Sequence, residues 1–566
     1  RDLFTADLQD TLKQFEEADN FGSLIVPKVQ NVESIQKLLE SKDVTKDIFL
    51  QETHQRVLEL LKQADYLSQK YHVVVANPPY KGKGELNKDL QDFMESRYPK
   101  SKGDLFACFI ERGFGLVKDS GYNTMVTMQV WLFIDTYKDL RAEVLDKHSI
   151  INLIQIGFNS FPELNSKFAL AAAFVLHKNQ KGKVGCFMTL NNAPKNADKQ
   201  KVFFEQKDAK NIFEVNSESF KDIEGTPISF EASENLREVF RDSEQLRDIA
   251  EPRQGMATGS NETFVRSWHE VSFENIGLNC NTRDESVLTG KKWFPYNKGG
   301  GFRKWYGNQL FVVDWENDGE RLFEFRPKSV IRNPDYYFRE SITWSLIGLT
   351  FGPRYTPVGS LFDVGGSSAF PPKDKMNYIM AFMASKISSA CLVSLNPTLN
   401  YQVGDIQRLP IKFPNNELKE QIDLLSLQNI EISKEDWDRQ EFSLDFKKDE
   451  LLKFNTNSIE DATNEYIKHW KENFDRLHSN EEKLNELFID IYRLKNDLDS
   501  SVDKKQITIL DGVIDIDGNI SFHTNEIIKA YISYAVGVMF GRYSLDHDGL
   551  HIANQDESIE EVNAKF

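Results

Sequence analysis

The amino-acid sequence predicts an α/β fold in which a doubly wound sheet comes first, a β-rich domain second and a helical C-terminal region last. Strand-like and helix-like patterns alternate from about residue 71 onward. Residues 251–412 contain five of the eight tryptophans, many glycines and short β-like runs, whereas residues 415–500 are charged and helical. We therefore predict four parts, at 1–242, 243–412, 413–500 and 501–566.

The elements of the first part follow from local hydrophobic patterns. Residues 1–70 show the spacing of helices, as in "THQRVLELLKQADYLSQ". Next come a strand in "HVVVA", a helix in "KGDLFACFIERGFGLV", a strand in "YNTMVTMQV", a helix in "DTYKDLRAEVLDK", and strands in "IINLIQIG" and "ALAAAFVLHK". Ligands of such a sheet lie beyond the carboxyl ends of its strands, where residues 77–80 fall.

The charge of the chain is unevenly distributed. The formal net charge is -18, yet residues 416–566 alone carry 33 acidic and 17 basic residues. The first 415 residues are close to neutral, so local basic surfaces there can meet phosphate groups. In the helical part, Leu484, Leu487, Ile491 and Leu494 form an amphipathic stripe, which is more typical of a core than of a partner site.

Several protein classes are disfavoured by composition. The four cysteines are far apart, which argues against a disulfide framework or a zinc site and favours a reducing cytoplasm. No apolar run approaches the roughly 20 residues of a membrane span. The first residues, "RDLFTADLQD", have no Met and no signal-peptide pattern, so we expect them to lie inside a longer chain.

The stretch Asn77-Pro78-Pro79-Tyr80 follows the first buried strand directly. The prolines stop the strand and stiffen the turn. They also leave the Pro78 carbonyl as an acceptor beside the side-chain oxygen of Asn77. Two fixed acceptors suit a planar amino group, and Tyr80 offers a face on which a base can stack. The alternative is an ordinary strand-ending turn.

This tetrapeptide resembles motif IV of the amino-methyltransferases that use S-adenosylmethionine. "KGDLFACFIERG", "GYNTMVTMQVWL" and "FNSFPELNSKFALAAAFVLHK" resemble motifs V, VI and VIII of the same enzymes. The resemblance implies a Rossmann-like methyltransferase sheet and catalysis by residues 77–80 without a metal. It also implies base stacking by Tyr80 and Phe161, and cofactor contacts from Asn77, Pro79 and Phe109. Ordinary core packing is the alternative for both phenylalanines.

One departure from the family concerns the cofactor loop. A glycine-rich motif I and an acidic ribose-binding residue should precede motif IV, and neither occurs in residues 1–76. An N-terminally incomplete chain would explain this. A partner that supplies the missing half, or an inactive protein, would explain it too.

The second part resembles a target recognition domain of adenine DNA methyltransferases, opening with "RQGMATGSNETFVRSW" and closing with "NPTLNYQVGDIQRLPI". Inside it, "FPYNKGGGFRKWYGNQLFVVDW" combines glycines with basic and aromatic residues. We predict that Lys298, Arg303 and Lys304 contact DNA phosphates and that Trp305 and Tyr306 wedge or stack. A hairpin loop with solvated charges is the alternative.

Further stretches, including "KEDWDRQEFSLDF" and "SYAVGVMFGRYSLDHDGL", resemble the PglX family of BREX phage-defence systems from end to end. The resemblance implies adenine-N6 methylation of double-stranded DNA at a short site, with other BREX proteins as partners. A DNA-recognition subunit with weak or no catalysis is the main alternative, and methylation of RNA or protein is another. A basic DNA surface would also expose the domain to acidic proteins that mimic DNA.

Overall fold

The computed structural model describes residues 3–28, 32–42, 48–160, 170–194, 196–510, 514–515, 520–552 and 558–564. The chain divides into two compact units, 1–232 and 233–566. The predicted boundaries at 242/243, 412/413 and 500/501 stay predictions.

The helices and strands of both units are numbered in chain order. The helices are α1 Leu3–Gln14, α2 Ala18–Phe21, α3 Val32–Glu40, α4 Ile48–Ser68, α5 Lys88–Arg97, α6 Leu105–Leu116, α7 Lys138–Lys147, α8 Lys199–Asp208, α9 Glu234–Arg241, α10 Arg247–Ala250, α11 Asn261–Phe264, α12 Arg283–Leu288, α13 Glu316–Glu324, α14 Met376–Ala384, α15 Lys386–Leu395, α16 Val403–Gln407, α17 Asn416–Asp438, α18 Ile459–Tyr492, α19 Thr524–Met539 and α20 Ile559–Asn563. The strands are β1 Tyr71–Ala76, β2 Val117–Met128, β3 Ser149–Gly157, β4 Ala171–His177, β5 Val184–Thr189, β6 Phe213–Asn216, β7 Glu244–Gln245, β8 Val265–Ser267, β9 Trp293–Asn297, β10 Phe311–Asp314, β11 Ser341–Thr343, β12 Arg354–Thr356, β13 Leu361–Phe362, β14 Ser368–Ala369 and β15 Pro410–Ile411.

The first unit is built on a six-stranded sheet with the order β1-β2-β4-β3-β5-β6. The pairs β1–β2 and β3–β5 are parallel, and the other three pairs are antiparallel. The predicted α/β fold is therefore confirmed, with a sheet of mixed rather than uniform direction. All four predicted strands and both predicted helices are present.

Helix α6 lies in the crossover between the parallel strands β1 and β2. It is almost wholly apolar and buries Phe106, Ala107 and Ile110 in the core of the sheet. A Cβ at position 113 would lie 2.4 Å from Oδ1 of the buried Asn123 on β2, so a larger residue there would force Asn123 to shift. The side-chain amide of Asn123 in turn donates to the Ile110 carbonyl at 3.0 Å. The crossover thus holds α6 tightly against the sheet.

The Arg112 side chain helps to join the helical N-terminal segment to this core. The buried guanidinium of Arg112 donates to the carbonyls of Ser23, Ile25 and Leu67 at 2.8–3.0 Å. Burial lowers the pKa of Arg112 from its usual value. One cation on α6 therefore satisfies carbonyls of two segments that precede the sheet.

The second unit combines small sheets with long helices. The strand order is β13-β9-β10-β8 in one sheet and β12-β11-β14 in another. The aromatic core of this region includes Tyr296 and Trp315. Helices α17 and α18 follow, and α18 buries Leu484, Phe488 and Ile489. The predicted order of a β-rich region and then helices is confirmed.

Among the described residues, no single helix is long and apolar enough to cross a membrane. The segments Lys373–Ala384 and Lys386–Leu395, which meet at a bend of 67°, are long and apolar enough only when taken together.

Candidate active site

The residues predicted to be catalytic lie immediately beyond the carboxyl end of β1. The parallel register pairs Ala76 with Met125 of β2, so the chain leaves the sheet at Asn77. Asn77 and Pro79 are exposed, whereas Pro78 is buried and Tyr80 half-buried. The turn therefore presents the Asn77 amide outward from an anchored backbone.

The Tyr80 side chain ties this turn together. Its hydroxyl donates to Oδ1 of Asn77 at 3.1 Å, and its ring packs edge-on against Phe106 with 6.2 Å between centroids. Burial raises the pKa of Tyr80 to about 12, so the phenol is neutral at pH 7. Its proton is therefore available to orient the Asn77 carbonyl oxygen, which keeps a further lone pair for a substrate amino group.

A residue not predicted from sequence, Asp104, connects the turn to α6. Its carboxylate accepts from the backbone N–H groups of Lys81 and Phe106, and so caps α6 while holding the segment after Tyr80. Two backbone bonds, from Leu105 to Lys81 and from Lys83 to Gly103, reinforce the link. Burial raises the pKa of Asp104. The sequence signal was available, because Asp before an apolar run is typical of a helix N-cap.

Of the two phenylalanines predicted to flank base and cofactor, Phe109 lies within the described residues and Phe161 does not. Phe109 is half-buried on α6 and packs against the core of the sheet, which fits both a packing role and a partly open face. Neither predicted role is tested by this placement.

Some described residues could hold one side of S-adenosylmethionine. Asn77 and Pro79 are open at the strand end, and Phe109 offers a ring on the helix that Asp104 ties to them. Strand β1 is the outer strand of the sheet, and its Val73 and Val75 are 49% and 78% exposed. These residues fit a flat, partly polar group. Within the described ranges, no cluster of His, Cys, Asp and Glu could hold a metal ion.

The structure corrects the prediction that the loop after β9 contacts DNA. Four of its five predicted DNA-binding residues, Arg303, Lys304, Trp305 and Tyr306, are buried, with 1–8% of their surface exposed. Side chains of this exposure cannot reach phosphates or stack on bases. The alternative of solvated charges is wrong for these residues as well.

The buried cations are neutralised by acids from the helical region. Arg303 donates to Asp436 at 2.6 Å, and Lys304 pairs with Glu481, which also accepts from the Trp305 indole at 2.8 Å. Lys298, the fifth predicted residue, is partly exposed and donates to Asn261 at 2.9 Å. Some carboxylates of the acidic C-terminal region therefore neutralise the buried cations of this loop.

The chain is similar to known proteins over part or nearly all of its length. The family model of the Eco57I restriction-modification methylase matches residues 3–161. The adenine-specific methyltransferase PglX of Lacticaseibacillus casei (strain Zhang) is 34% identical over 98% of this chain and 47% of its own length. The adenine-specific methyltransferase BrxX of Escherichia coli O9:H4 (strain HS) is 33% identical over 97% of this chain and 45% of its own length.

Within the first unit, residues 3–161 are thus similar to the restriction-modification methylases. More particularly, the chain is PglX-like across nearly its whole length, and the predicted resemblance is confirmed. It spans about half the length of the curated relatives it matches. Among solved structures, the type IIL restriction-modification enzyme MmeI in complex with DNA has a TM-score of 0.47 and 11% identity, covering 84% of this chain and 58% of that one.

Proposed function

We propose that this chain is the catalytic and target-recognition portion of a DNA adenine-N6 methyltransferase that uses S-adenosylmethionine. The observation that supports this most is the rigid turn after β1, in which an exposed Asn77 amide stands beside the Pro78 carbonyl. We propose adenine as the substrate base because the relatives PglX and BrxX are named adenine-specific methyltransferases. The turn alone fits other planar amino groups equally well.

In the proposed reaction, the target adenine leaves the duplex and stacks on Tyr80, because N6 is out of reach in a base pair. The Asn77 side-chain oxygen and the Pro78 carbonyl accept the two N6 hydrogens, which directs the nitrogen lone pair away from the turn. S-adenosylmethionine supplies an activated methyl group when bound. Asn77 and the Pro78 carbonyl would hold N6 in place while it receives that methyl group, and one N6 proton would then be lost to solvent.

The wider role follows from the relatives and is proposed with them. We place the protein in a BREX phage-defence system, where methylation marks host DNA and the other BREX proteins are its partners. Competition by an acidic DNA mimic was expected from the basic loop at 298–306. That expectation loses its basis, because Arg303 and Lys304 are buried and paired.

The test compares two asparagine variants of the full-length protein. Asn77→Ala should abolish host adenine methylation, read by long-read sequencing, while duplex binding persists. Asn192→Ala, at another exposed asparagine of the first unit, should change neither. Methylation at the normal level in Asn77→Ala would refute the catalytic role. A wild-type protein that binds DNA but methylates none would favour the alternative, a recognition subunit.

A further inference from the structure

A short, partly exposed β-ribbon lies at the surface of the second unit. It consists of residues 346–349 paired with residues 399–401. The Tyr401 N–H donates to Leu346 at 2.8 Å, the Gly348 N–H donates to Leu399 at 3.0 Å, and Ile347 lies opposite Asn400 in antiparallel register. A two-stranded ribbon is narrow enough to enter the major groove of DNA.

The base of this ribbon is firmly anchored. The buried Trp344 donates its indole N–H to the Tyr401 carbonyl at 2.9 Å, and the Tyr401 ring packs 5.0 Å from that of Phe351. The buried Asn396 holds the second strand by bonding Thr398, the Asn400 carbonyl and Asp405. The ribbon is therefore preorganised by contacts on its inner side.

The outer face of the ribbon is unusual in what it exposes. Ile347 is 66% exposed, and Leu349, at 88%, is the most exposed large apolar side chain among the described residues. Strand alternation places both on the same face as Asn400. The side-chain amide of Asn400 makes no hydrogen bond within the described part of the chain. The Asn400 amide thus lies beside the exposed aliphatic side chains of Ile347 and Leu349.

Charge favours DNA as the occupant of this face. Residues 341–353 and 387–404 contain no Asp, Glu, Lys or Arg, in a chain whose net charge is -18. The ribbon can therefore approach a polyanion without repulsion, while it lacks the cations that would make it a phosphate clamp. Neutral amides and apolar groups are the side chains that read base edges: Asn bonds N6 and N7 of adenine, and aliphatic groups contact the thymine methyl.

We infer that the ribbon reads an A·T pair of the target site, with Asn400 on the adenine and Ile347 and Leu349 on the thymine methyl or its neighbour. The inference rests on the proposed function in taking duplex DNA as the substrate. It adds which residues determine the sequence preference.

The test is selection from a library of randomised DNA duplexes by the full-length protein, without a methyl donor. The wild type should enrich a motif that contains an A·T pair. Asn400→Ala should lose the preference at that pair by about 10-fold, with an unchanged salt dependence, because no phosphate contact is removed. Ile347→Ser/Leu349→Ser should weaken binding of the enriched duplex more than of a scrambled one.

Leu424→Ser, which removes a 56% exposed leucine of α17, is the matched control and should behave as wild type. Unchanged enrichment by both ribbon variants would overturn the inference, as would equal weakening on every duplex with a flattened salt dependence. Loss of phage resistance with unchanged selection would assign the ribbon to a protein partner instead. Because the selection needs no methyl transfer, failure of the proposed function leaves this test intact.

Discussion

At the scale of single residues, the Tyr80 side chain combines two functions that can be separated. Its ring packs on Phe106 and is proposed to stack on the adenine, whereas its hydroxyl donates to Asn77. Removing only the hydroxyl loses one hydrogen bond, which is worth about 1 kcal/mol. Removing the ring loses a stacking platform, which is worth roughly 1–3 kcal/mol per base.

We therefore expect Tyr80→Phe to retain methylation within about 10-fold of wild type and Tyr80→Ala to lose more. The measurement is kcat/KM for methyl transfer to a duplex with the mapped site. A Phe variant as inactive as the Ala variant would show that orientation of Asn77 by the hydroxyl, not stacking, is the main role.

A second residue-scale prediction concerns His148, which lies between α7 and β3. It is buried, stacks on Phe114 at 3.8 Å, and its Nδ1 accepts from the Asn179 N–H at 3.0 Å. Burial lowers its pKa to about 4. The opened state, with an ordinary pKa near 6.5, therefore binds more protons between these two values, so stability is full above pH 6.5 and is lost as the pH falls.

Hydrogen exchange of the β3 and β4 amides should show this loss. We expect the free energy of opening to fall by about 2 kcal/mol from pH 7 to pH 5. His148→Asn keeps an acceptor but cannot titrate, so its opening free energy should stay nearly constant over the same range. An equal fall in the variant would mean that other groups cause the pH dependence.

These residue-scale features differ in how far sequence could predict them. The exposed turn at Asn77 follows from a strand that runs into two prolines, which is information held within a few neighbouring residues. The burial of the loop after β9 does not follow from neighbouring residues, because Arg303 and Asp436 are 133 residues apart and Lys304 and Glu481 are 177 apart. Composition showed an excess of acid in the tail but not which cations it would meet.

At the scale of elements, the local patterns predicted the strands and helices of the first sheet correctly, because each pattern is set by neighbouring residues. The mixed direction of the strands was not predicted, since it depends on which strands pair. The link between the catalytic turn and α6 was missed for a similar reason. It depends on Asp104 reaching back to Lys81.

Asp104 is therefore predicted to be a positioning residue. Asp104→Ala should remove the cap of α6 at a cost of about 1 kcal/mol in stability and release the segment after Tyr80. Asp104→Asn keeps a side-chain oxygen for the same N–H groups and should restore both. The measurement is kcat and KM for methyl transfer beside the unfolding midpoint.

A purely structural role would lower the midpoint in Asp104→Ala and leave kcat unchanged at a temperature where the protein is folded. We expect kcat to fall there, because the Asn77–Tyr80 turn is no longer fixed relative to α6. Recovery by Asn would also show that the acceptor geometry matters and the negative charge does not.

At the scale of the whole molecule, the acidic tail and the near-neutral front part complement each other inside the second unit. Asp436 shows the balance at one carboxylate. Burial alone would raise its pKa, but Arg439 and Arg303 outweigh that effect and lower it. The net charge of the chain therefore does not measure its affinity for DNA, since part of the acid is used internally.

The last prediction separates this internal role from the DNA contacts expected from sequence. Lys304→Met should leave Glu481 buried without its cation and lower the free energy of unfolding by about 3–5 kcal/mol. Lys304→Met/Glu481→Gln removes both charges, while the glutamine oxygen still accepts from the Trp305 indole, and should recover most of the loss. Lys373→Ala, at an exposed lysine, should change stability little. Urea unfolding of the three variants measures these differences, and duplex binding of the folded double variant completes the test.

Because only 7% of the Lys304 surface is exposed, the double variant should bind duplexes with the affinity and salt dependence of wild type. A flattened salt dependence in that variant would mean that Lys304 meets phosphate after all, through a rearrangement that opens this loop on DNA.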